Sequence, residues 1–190
     1  MKPKDEQKQR AIAQATFQLV AQTGLSGLTM AAIAKSVGLA TSTLYVYYPS
    51  KSALISQLYQ DAKTVTMQAL MAGVTPEAPL HQRLQRIWLN LLRHRLDQFA
   101  EVVFQEQYYN SPWYTQGDRE LSARLMAGFL TLMQEGQQQQ LLKPVPLPLL
   151  TASLLGSVRE TANLIRAAVL ADETAVHQVA FSLCWDAIRA

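Results

Sequence analysis

The chain has 190 residues, 49% of them hydrophobic, which is enough to bury a substantial core. No apolar run approaches the ~20 residues of a membrane span, and Met1 to Arg10 is too polar for a secretory signal peptide. The single cysteine, Cys184, excludes an internal disulfide and suits a packing thiol in a reducing compartment. The histidines are too scattered for a metal site. We therefore expect a cytoplasmic protein without a metal or other cofactor.

The positive charge is concentrated in the first third of the chain. Residues 1–60 contain six lysine and arginine residues and two acidic ones, whereas residues 61–190 contain eleven basic and twelve acidic residues. From Gln7 to Gln60 there is no aspartate or glutamate. A phosphate backbone is attracted by such a distribution, although a chance bias in a stretch rich in Gln, Ser and Thr explains it equally well at this point.

The first elements are a polar arm over residues 1–7 and a helix from about Lys8 to Gln22. The apolar residues of this helix recur with a helical period: Ile12, Ala15, Leu19 and Val20. Gly24 and Gly27 then break the chain before Leu28. The basic residues at the start either reach DNA or form a solvated tail: Lys2, Lys4, Lys8 and Arg10.

Two short helices follow, joined by a turn at Gly38. The first carries an apolar face at i, i+3, i+4 and i+7, formed by Met30, Ile33, Ala34 and Val37. Thr29 precedes this face as an N-cap, and Gly38 follows it where a turn needs positive φ. The second helix runs from about Ala40 to Tyr47 and ends at Pro49. Such a pair is typical of a helix-turn-helix.

This stretch resembles the DNA-binding module of the TetR family of bacterial transcriptional regulators. The resemblance covers roughly the first third of the chain and is carried by Leu28, Thr29, Ile33, Ala34, Gly38, Leu39, Thr43, Leu44, Tyr45, Tyr47, Tyr48, Lys51 and Leu54. It implies an N-terminal three-helix DNA-binding domain at residues 1–50, with the helix-turn-helix at about 29–48. It also implies a C-terminal regulatory and dimerisation domain at residues 51–190, entered through a connecting helix at 51–71.

The remaining pattern is helical. Helices are predicted at about 80–96, 98–109, 112–140, 148–170 and 173–189, which gives an all-α chain of about nine helices. Ser111 is the expected N-cap of the third of these, with Pro112 at its first position, and Asp172 is the expected N-cap of the last. Arginines on the helix at 80–96 form either a second nucleic-acid site or, as we favour, a solvated face paired with acids.

DNA contacts are expected from the second helix of the helix-turn-helix. Its first turn carries Thr41, Ser42 and Thr43, whose hydroxyls discriminate bases only weakly. No Arg, Lys, Asn or Gln lies on it, so specificity is expected to depend on DNA shape, on Lys35 and on the N-terminal arm. The resemblance implies phosphate contacts from Thr29, Thr43, Tyr45, Tyr47 and Lys51.

Two further sites are predicted in the C-terminal domain. The resemblance implies a small-molecule pocket, and its candidate lining residues, each of which is alternatively plain core, are Trp88, Phe104, Tyr108, Trp113, Met126, Phe129, Met133 and Asn163. It also implies a homodimer through the last two helices, whose candidate contacts are Leu154, Leu155, Val158, Ala180, Leu183, Cys184 and Ala187.

The sequence thus predicts a bacterial, cytoplasmic repressor that binds operator DNA as a homodimer and is released by a largely apolar effector. An effector-insensitive or activating DNA-binding protein is the alternative. A small helical enzyme is a much poorer fit, because no paired carboxylates or His–nucleophile constellation stands out.

Overall fold

The structure is a computed structural model that describes residues 3–190, with side chains described from Glu6 onward. Over that range it contains nine helices: α1 Pro3–Gly27, α2 Met30–Ser36, α3 Thr41–Tyr47, α4 Lys51–Met71, α5 Leu80–Asp97, α6 Phe99–Tyr109, α7 Gln116–Gln138, α8 Leu147–Arg166 and α9 Thr174–Ile188. The same residues form no strand beyond one isolated bridge between Leu142 and Arg189. The predicted all-α class is confirmed, and no helix described is long and apolar enough to cross a bilayer.

The start of α1 differs from the prediction. The expected arm at residues 1–7 is helical from Pro3 onward. Proline suits the first position of a helix, and Glu6 follows in a first turn whose free N–H groups favour negative charge. Lys2 and the side chain of Lys4, for which the sequence leaves both DNA contact and a solvated tail open, lie outside the described residues. The helix also continues past Gln22, with a break at Gly24, where φ is 78° and ψ is 159°.

The helix starts at α7 and α9 also correct the prediction. Ser111 does not cap α7, because the segment after it forms a turn in which its hydroxyl donates to the Tyr108 carbonyl and accepts from Trp113 N. Helix α7 begins at Gln116, after a capping box in which Thr115 Oγ1 accepts from Asp118 N and Asp118 Oδ2 accepts from Thr115 N. At α9 the N-cap is Glu173 rather than Asp172, whose carboxylate instead pairs with Arg93 and His177.

Helix α8 ends at Arg166, four residues before the predicted Leu170. The N–H groups of Val169 and Leu170 both turn back to the Leu164 carbonyl, and Ala168 adopts a φ of 54°. This is the geometry in which helices commonly terminate. On α5, Arg83 lies 3.6 Å from Glu135, and the exposed Arg93 lies near Asp97 and Asp172, which agrees with the favoured acid-paired face. Arg95 of the same helix is buried, so the solvated face does not include it.

Packing divides the chain into two units. Unit 1 contains the chain up to Thr64 together with Gln98–Ser122, and unit 2 contains Val65–Asp97 together with Ala123–Ala190. The core of unit 1 is centred on aromatic residues, among them Phe17, Tyr59, Phe104 and Tyr108. The core of unit 2 includes Trp88, Phe129, Leu154, Phe181 and the predicted packing thiol of Cys184. The predicted functional division between residues 50 and 51 stays a prediction, because packing does not test it.

Two glycines of α7 provide a matched test of unit 2 packing. A Cβ at Gly136 would lie 2.7 Å from both Leu142 Cδ1 and Leu80 Cδ2, two side chains that are themselves buried, whereas a Cβ at Gly128 meets nothing within 4 Å. We expect Gly136→Ala to destabilise the protein by about 1–3 kcal/mol through overpacking. Gly128→Ala should stabilise it by about 0.5–1 kcal/mol, because alanine loses less backbone entropy on folding. Urea unfolding of both variants at one protein concentration checks the opposite signs, and equal shifts would contradict the packing around Gly136.

Candidate nucleic-acid interface

Helices α2 and α3 form the predicted helix-turn-helix in unit 1. The predicted cap of α2 is confirmed, since Ala32 N donates to Thr29 Oγ1 at 3.1 Å. Gly38 adopts a φ of 66°, and the Leu39 N–H returns to the Ala34 carbonyl, so the chain turns within three residues. Ala40 caps α3 without a side-chain hydrogen bond. A turn that needs positive φ at one position explains why glycine lies there.

One side of α3 holds it against α2. Leu44 is fully buried and Tyr48 nearly so, together with Met30, Ile33 and Ala34 of α2. Leu44 and Tyr48 therefore face the core of unit 1. Burial raises the pKa of the Tyr48 hydroxyl, and Asp61 raises it further, so this phenol stays neutral and acts as a packing group.

The opposite side of α3 is open to solvent. Ser42 is exposed, and Tyr45 and Val46 are 49% and 82% exposed. We call these three residues the α3 outer face. Thr41, Thr43 and Tyr47 are half-buried beside it, and Lys35 is exposed in the last turn of α2. Val46 was missed by the sequence analysis, although its position one turn after Ser42 places both on one side of a helix.

Lys51 holds the end of α1 in addition to opening α4. Its Nζ donates to the Leu25 carbonyl at 3.2 Å and lies 4.9 Å from the centroid of the Trp113 ring. Burial lowers the pKa of this ammonium group. The N-terminus of α4 is capped by Ser50, whose hydroxyl accepts from Ala53 N. The ammonium group of Lys51 and the N-terminus of α4 are both electropositive, and both come shortly after α3 in the sequence.

The side chain of Gln107 in α6 replaces backbone hydrogen bonds that are missing at the break in α1. Since α1 is not helical at Gly24, Leu25 N donates instead to Gln107 Oε1 at 2.7 Å. Gln107 Nε2 in turn lies 3.5 Å from the Val20 carbonyl. Gln107 and Lys51 therefore satisfy both backbone polar groups of the buried Leu25, and we call these three residues the α1 clamp.

Asp118 is the polar centre of unit 1 and is fully buried. Its Oδ1 accepts from Ser56 and Gln60 of α4, and its Oδ2 accepts from the Tyr108 hydroxyl at 2.8 Å and from Thr115. Burial raises the pKa of this carboxyl, but the hydrogen bonds from Gln60, Thr115 and Tyr108 outweigh it and hold the pKa below its usual value. Asp118 thereby joins α4, α6 and the start of α7.

Glu101 of α6 gives unit 1 a pH dependence of the opposite sign. Burial raises the pKa of this carboxyl to about 7. The folded protein then keeps a proton that the unfolded chain has lost, so stability falls as the pH rises from about 4.3 to about 7 and is level above that. We expect Glu101→Gln to raise the melting temperature at pH 8 and to leave it unchanged at pH 4. Partial solvent access makes the shift modest, a few degrees.

Thermal unfolding at pH 4 and pH 8 measures this difference. Glu77→Gln, at an exposed site between α4 and α5, is the matched control and should shift the melting temperature at neither pH. An equal effect of Glu101→Gln at the two pH values would show that the carboxyl charge is not the cause.

The predicted pocket residues lie in two separate cores. Phe104 and Tyr108 are buried in the core of unit 1, against which Trp113 packs. Trp88, Phe129 and Met133 are buried in the core of unit 2, with Met126 packed against them. Asn163 is exposed and donates to Glu160 at 3.5 Å. The assignment of this set to an effector pocket stays a prediction.

Each unit also contains an open cavity. The cavity in unit 1, of about 510 Å³, is lined by residues of α1, α6 and the turn before α7, including Trp113 of the predicted set. The cavity in unit 2, of about 210 Å³, is lined by residues of α5 and by His177, none of which was predicted. The described residues contain no cluster of side chains suited to a metal ion.

The predicted interface residues divide by burial. Leu154, Val158 and Cys184 are buried in the core of their own protomer, and Leu155 and Ala180 are half-buried. Leu183 and Ala187 are exposed on α9. The large exposed apolar side chains of α8 and α9 that the prediction missed are Leu149, Leu164 and Val179. The assignment of these residues to a dimer interface stays a prediction, and it now rests on those residues of the set that are exposed.

The fold and the α3 outer face define the class of the protein, an all-α helix-turn-helix DNA-binding protein. Residues 12–58 match the family profile described as "Bacterial regulatory proteins, tetR family". Residues 79–189, more than half of the chain, match the profile described as "Tetracyclin repressor-like, C-terminal domain". The chain belongs to the TetR family of bacterial transcriptional regulators.

Individual relatives agree with this assignment. An uncharacterized HTH-type transcriptional regulator of Haemophilus influenzae is 29% identical over 80 residues, and YuxN of Bacillus subtilis is 28% identical over 94 residues. These matches cover 42% and 47% of this chain and 43% and 32% of those proteins, so the chain spans less than half the length of either.

Solved structures match over nearly the whole chain. A TetR family transcription regulator from Marinobacter aquaeolei VT8 superposes with a TM-score of 0.92 at 27% identity, covering 100% of this chain and 99% of that one. A putative TetR family regulator from Vibrio parahaemolyticus, with a TM-score of 0.79 at 24% identity over 96% and 99% of the two chains, shares the fold.

Proposed function

We propose that this chain is a cytoplasmic, homodimeric repressor that binds an operator through two α3 outer faces and leaves it when a small, largely apolar effector binds. The observation that carries the proposal is the α3 outer face itself. It is solvent-exposed, and it lies within the stretch from Gln7 to Gln60 that contains no acidic residue. A major groove admits such a helix, and the surrounding phosphates attract such a charge distribution.

The roles of individual residues follow from their placement. Thr41, Ser42 and Thr43 approach base edges in the first turn of α3, and Lys35 lies near the groove or a phosphate. Tyr45, Tyr47, Thr29 and Lys51 position the protein on the backbone. Tyrosine suits this role because it carries a hydroxyl on a stiff apolar ring. The ammonium group of Lys51 contributes a positive charge whose position is fixed, since one of its three N–H donors binds the Leu25 carbonyl.

The dimer is proposed to form through α8 and α9. Leu183 and Val179 are 68% and 61% exposed one turn apart on α9, and Leu149 and Leu164 are exposed on α8. A second copy of the same two helices covers such a surface in a four-helix arrangement. Two-fold symmetry then presents two heads to half-sites ~34–36 Å apart.

Release by an effector requires that the effector prefer a conformation in which the two heads no longer fit successive grooves. The aromatic and methionine side chains of the unit 2 core support an apolar effector, namely Trp88, Phe129, Met133 and Met126. An effector-insensitive regulator or an activator is the alternative, and effector titration of the bound complex separates the two.

Fluorescence anisotropy on the DNA upstream of the protein's own gene tests the proposal. We expect tight binding that favours this DNA over a scrambled control and weakens steeply with salt. If the upstream DNA is not preferred, genomic fragments bound by the protein are selected and assayed in the same way. Failure to bind any fragment even at low salt would refute the proposal.

Tyr45→Phe isolates one positioning contact. We expect it to weaken binding at least tenfold on operator and scrambled DNA alike, because a hydrogen bond to a charged phosphate oxygen is worth about 1.5–3 kcal/mol. Tyr109→Phe, at the exposed end of α6, is the matched control and should bind normally. A change in sequence preference would instead place the Tyr45 hydroxyl on a base.

A further inference from the structure

Val46 is the most exposed large apolar side chain described in the molecule, at 82%. It lies on the α3 outer face with Ser42 and Tyr45, opposite the fully buried Leu44. Nothing in the fold uses this isopropyl group, since α3 is held through Leu44 and Tyr48 on its other side. We therefore infer that Val46 contacts the partner that binds the α3 outer face.

The chemistry of α3 restricts what that role is. From Ser36 to Ser50 there is no charged residue, no amide side chain and no histidine. The bidentate contacts by which Arg, Lys, Asn and Gln identify guanine or adenine are therefore absent from this segment. Hydroxyls remain on the outer face at Ser42 and Tyr45, and Val46 offers apolar contact alone.

The base edges of a major groove present one apolar group, the C5-methyl of thymine. DNA, rather than another protein, is the occupant that the surroundings favour, because the outer face lies in a stretch with Lys35 and Lys51 and without any acid. Cytosine carries a hydrogen at the same position, so only thymine offers a methyl group against which an exposed isopropyl group can pack.

We propose that Val46 is a specificity-determining residue that packs against the C5-methyl group of one thymine in each operator half-site. This inference rests on the proposed function, because it identifies the base read by a surface that binds DNA. Val46 lies one turn beyond Ser42 along α3, so the thymine it reads is displaced along the groove from the base nearest Ser42.

Replacing thymine by deoxyuridine tests the contact, because it removes the methyl group and leaves every hydrogen-bonding atom in place. On the selected operator, each thymine is replaced in turn, symmetrically in both half-sites, and binding is measured by anisotropy. We expect one position at which the wild-type protein loses about ten- to twentyfold in affinity, because each of the two half-sites loses one buried methyl group that contributes about fourfold. Placing 5-methylcytosine opposite guanine there should bind more tightly than unmethylated cytosine opposite guanine.

Val46→Ala should bind the thymine operator about as weakly as the wild type binds the deoxyuridine operator, and it should no longer distinguish the two. Val65→Ala, at a half-exposed valine of α4, is the matched control and should retain both the affinity and the deoxyuridine penalty. Melting temperatures of both variants confirm that neither is unfolded.

Two results would overturn the inference and leave the proposed function intact. One is an operator whose affinity is unchanged by deoxyuridine at every position, and the other is a Val46→Ala variant that keeps the full deoxyuridine penalty. Failure to select any operator would refute the proposed function itself, and the inference with it.

Discussion

Replacing Asp118 by alanine is expected to destabilise the protein by at least about 1.5–3 kcal/mol, the contribution of one hydrogen bond to a charged group. Five hydrogen bonds to this carboxylate are lost together. The Tyr108 hydroxyl keeps the Trp113 carbonyl as an acceptor and the Gln60 amide keeps the Ser56 hydroxyl, so the total loss is smaller than the sum of five hydrogen bonds. Urea unfolding followed by circular dichroism measures the loss, at a fixed protein concentration because the protein is proposed to dimerise.

Asp118→Asn separates the charge from the shape of the side chain. Since the folded pKa of Asp118 is held below its usual value, its stabilisation is present above the unfolded pKa of about 3.9 and is lost as the pH falls through the folded pKa. The variant should therefore be clearly less stable than the wild type at pH 7, and the difference should shrink below about pH 4.

Asp61→Asn is the matched control for this experiment. Asp61 is exposed on α4 and accepts one hydrogen bond from Gln57, so we expect a change within about 0.5 kcal/mol. Equal stability of Asp118→Asn and the wild type at pH 7 would contradict the role of the buried carboxylate.

Leu183→Glu is expected to separate the proposed dimer and to lower operator affinity about 100-fold or more. In the dimer the new carboxylate would be buried among apolar side chains, where an unpaired charge is costly. A monomer holds one head, so it loses the avidity of two linked contacts, which is commonly 10²–10⁴-fold. Sedimentation equilibrium and operator binding are measured together on the same preparation.

Gln139→Glu provides the control for charge alone, because it adds the same carboxylate at an exposed position just after α7. It should remain dimeric and bind the operator normally. A Leu183→Glu variant that stays dimeric at micromolar concentration would show that another surface pairs the protomers. The exposed Val179 belongs to the same surface, so Val179→Glu should behave like Leu183→Glu.

Local signals account for what the sequence predicted well. The bounds of α4 were exact, and α2 and α3 were placed to within one residue, because Thr29, Gly38 and Pro49 act on their immediate neighbours. The start of α7 was wrong because Ser111 and Pro112 form an equally good local start. The Thr115–Asp118 capping box was also present in the sequence, and the hydrogen bond that the Tyr108 hydroxyl donates to Asp118 favours this start.

Contacts between distant residues account for what the sequence did not predict. Leu25 and Gln107 are 82 positions apart, so no periodicity indicated the α1 clamp. The predicted pocket residues are divided between the cores of the two units because hydrophobicity identifies buried aromatics without saying which core holds them. Phe104 and Trp88 are both fully buried, yet they belong to different units.

The α1 clamp has a consequence for building sensors by exchanging DNA-binding heads between regulators. A graft cut at residue 50 would move Leu25 into a new protein without Lys51 and Gln107, which satisfy its backbone groups here. It would also leave behind Trp113, on which Lys51 lies. The unit to be transferred is therefore discontinuous, and residues up to 64 must be grafted together with residues 98–122. Otherwise the recipient protein must contain an equivalent glutamine, lysine and tryptophan.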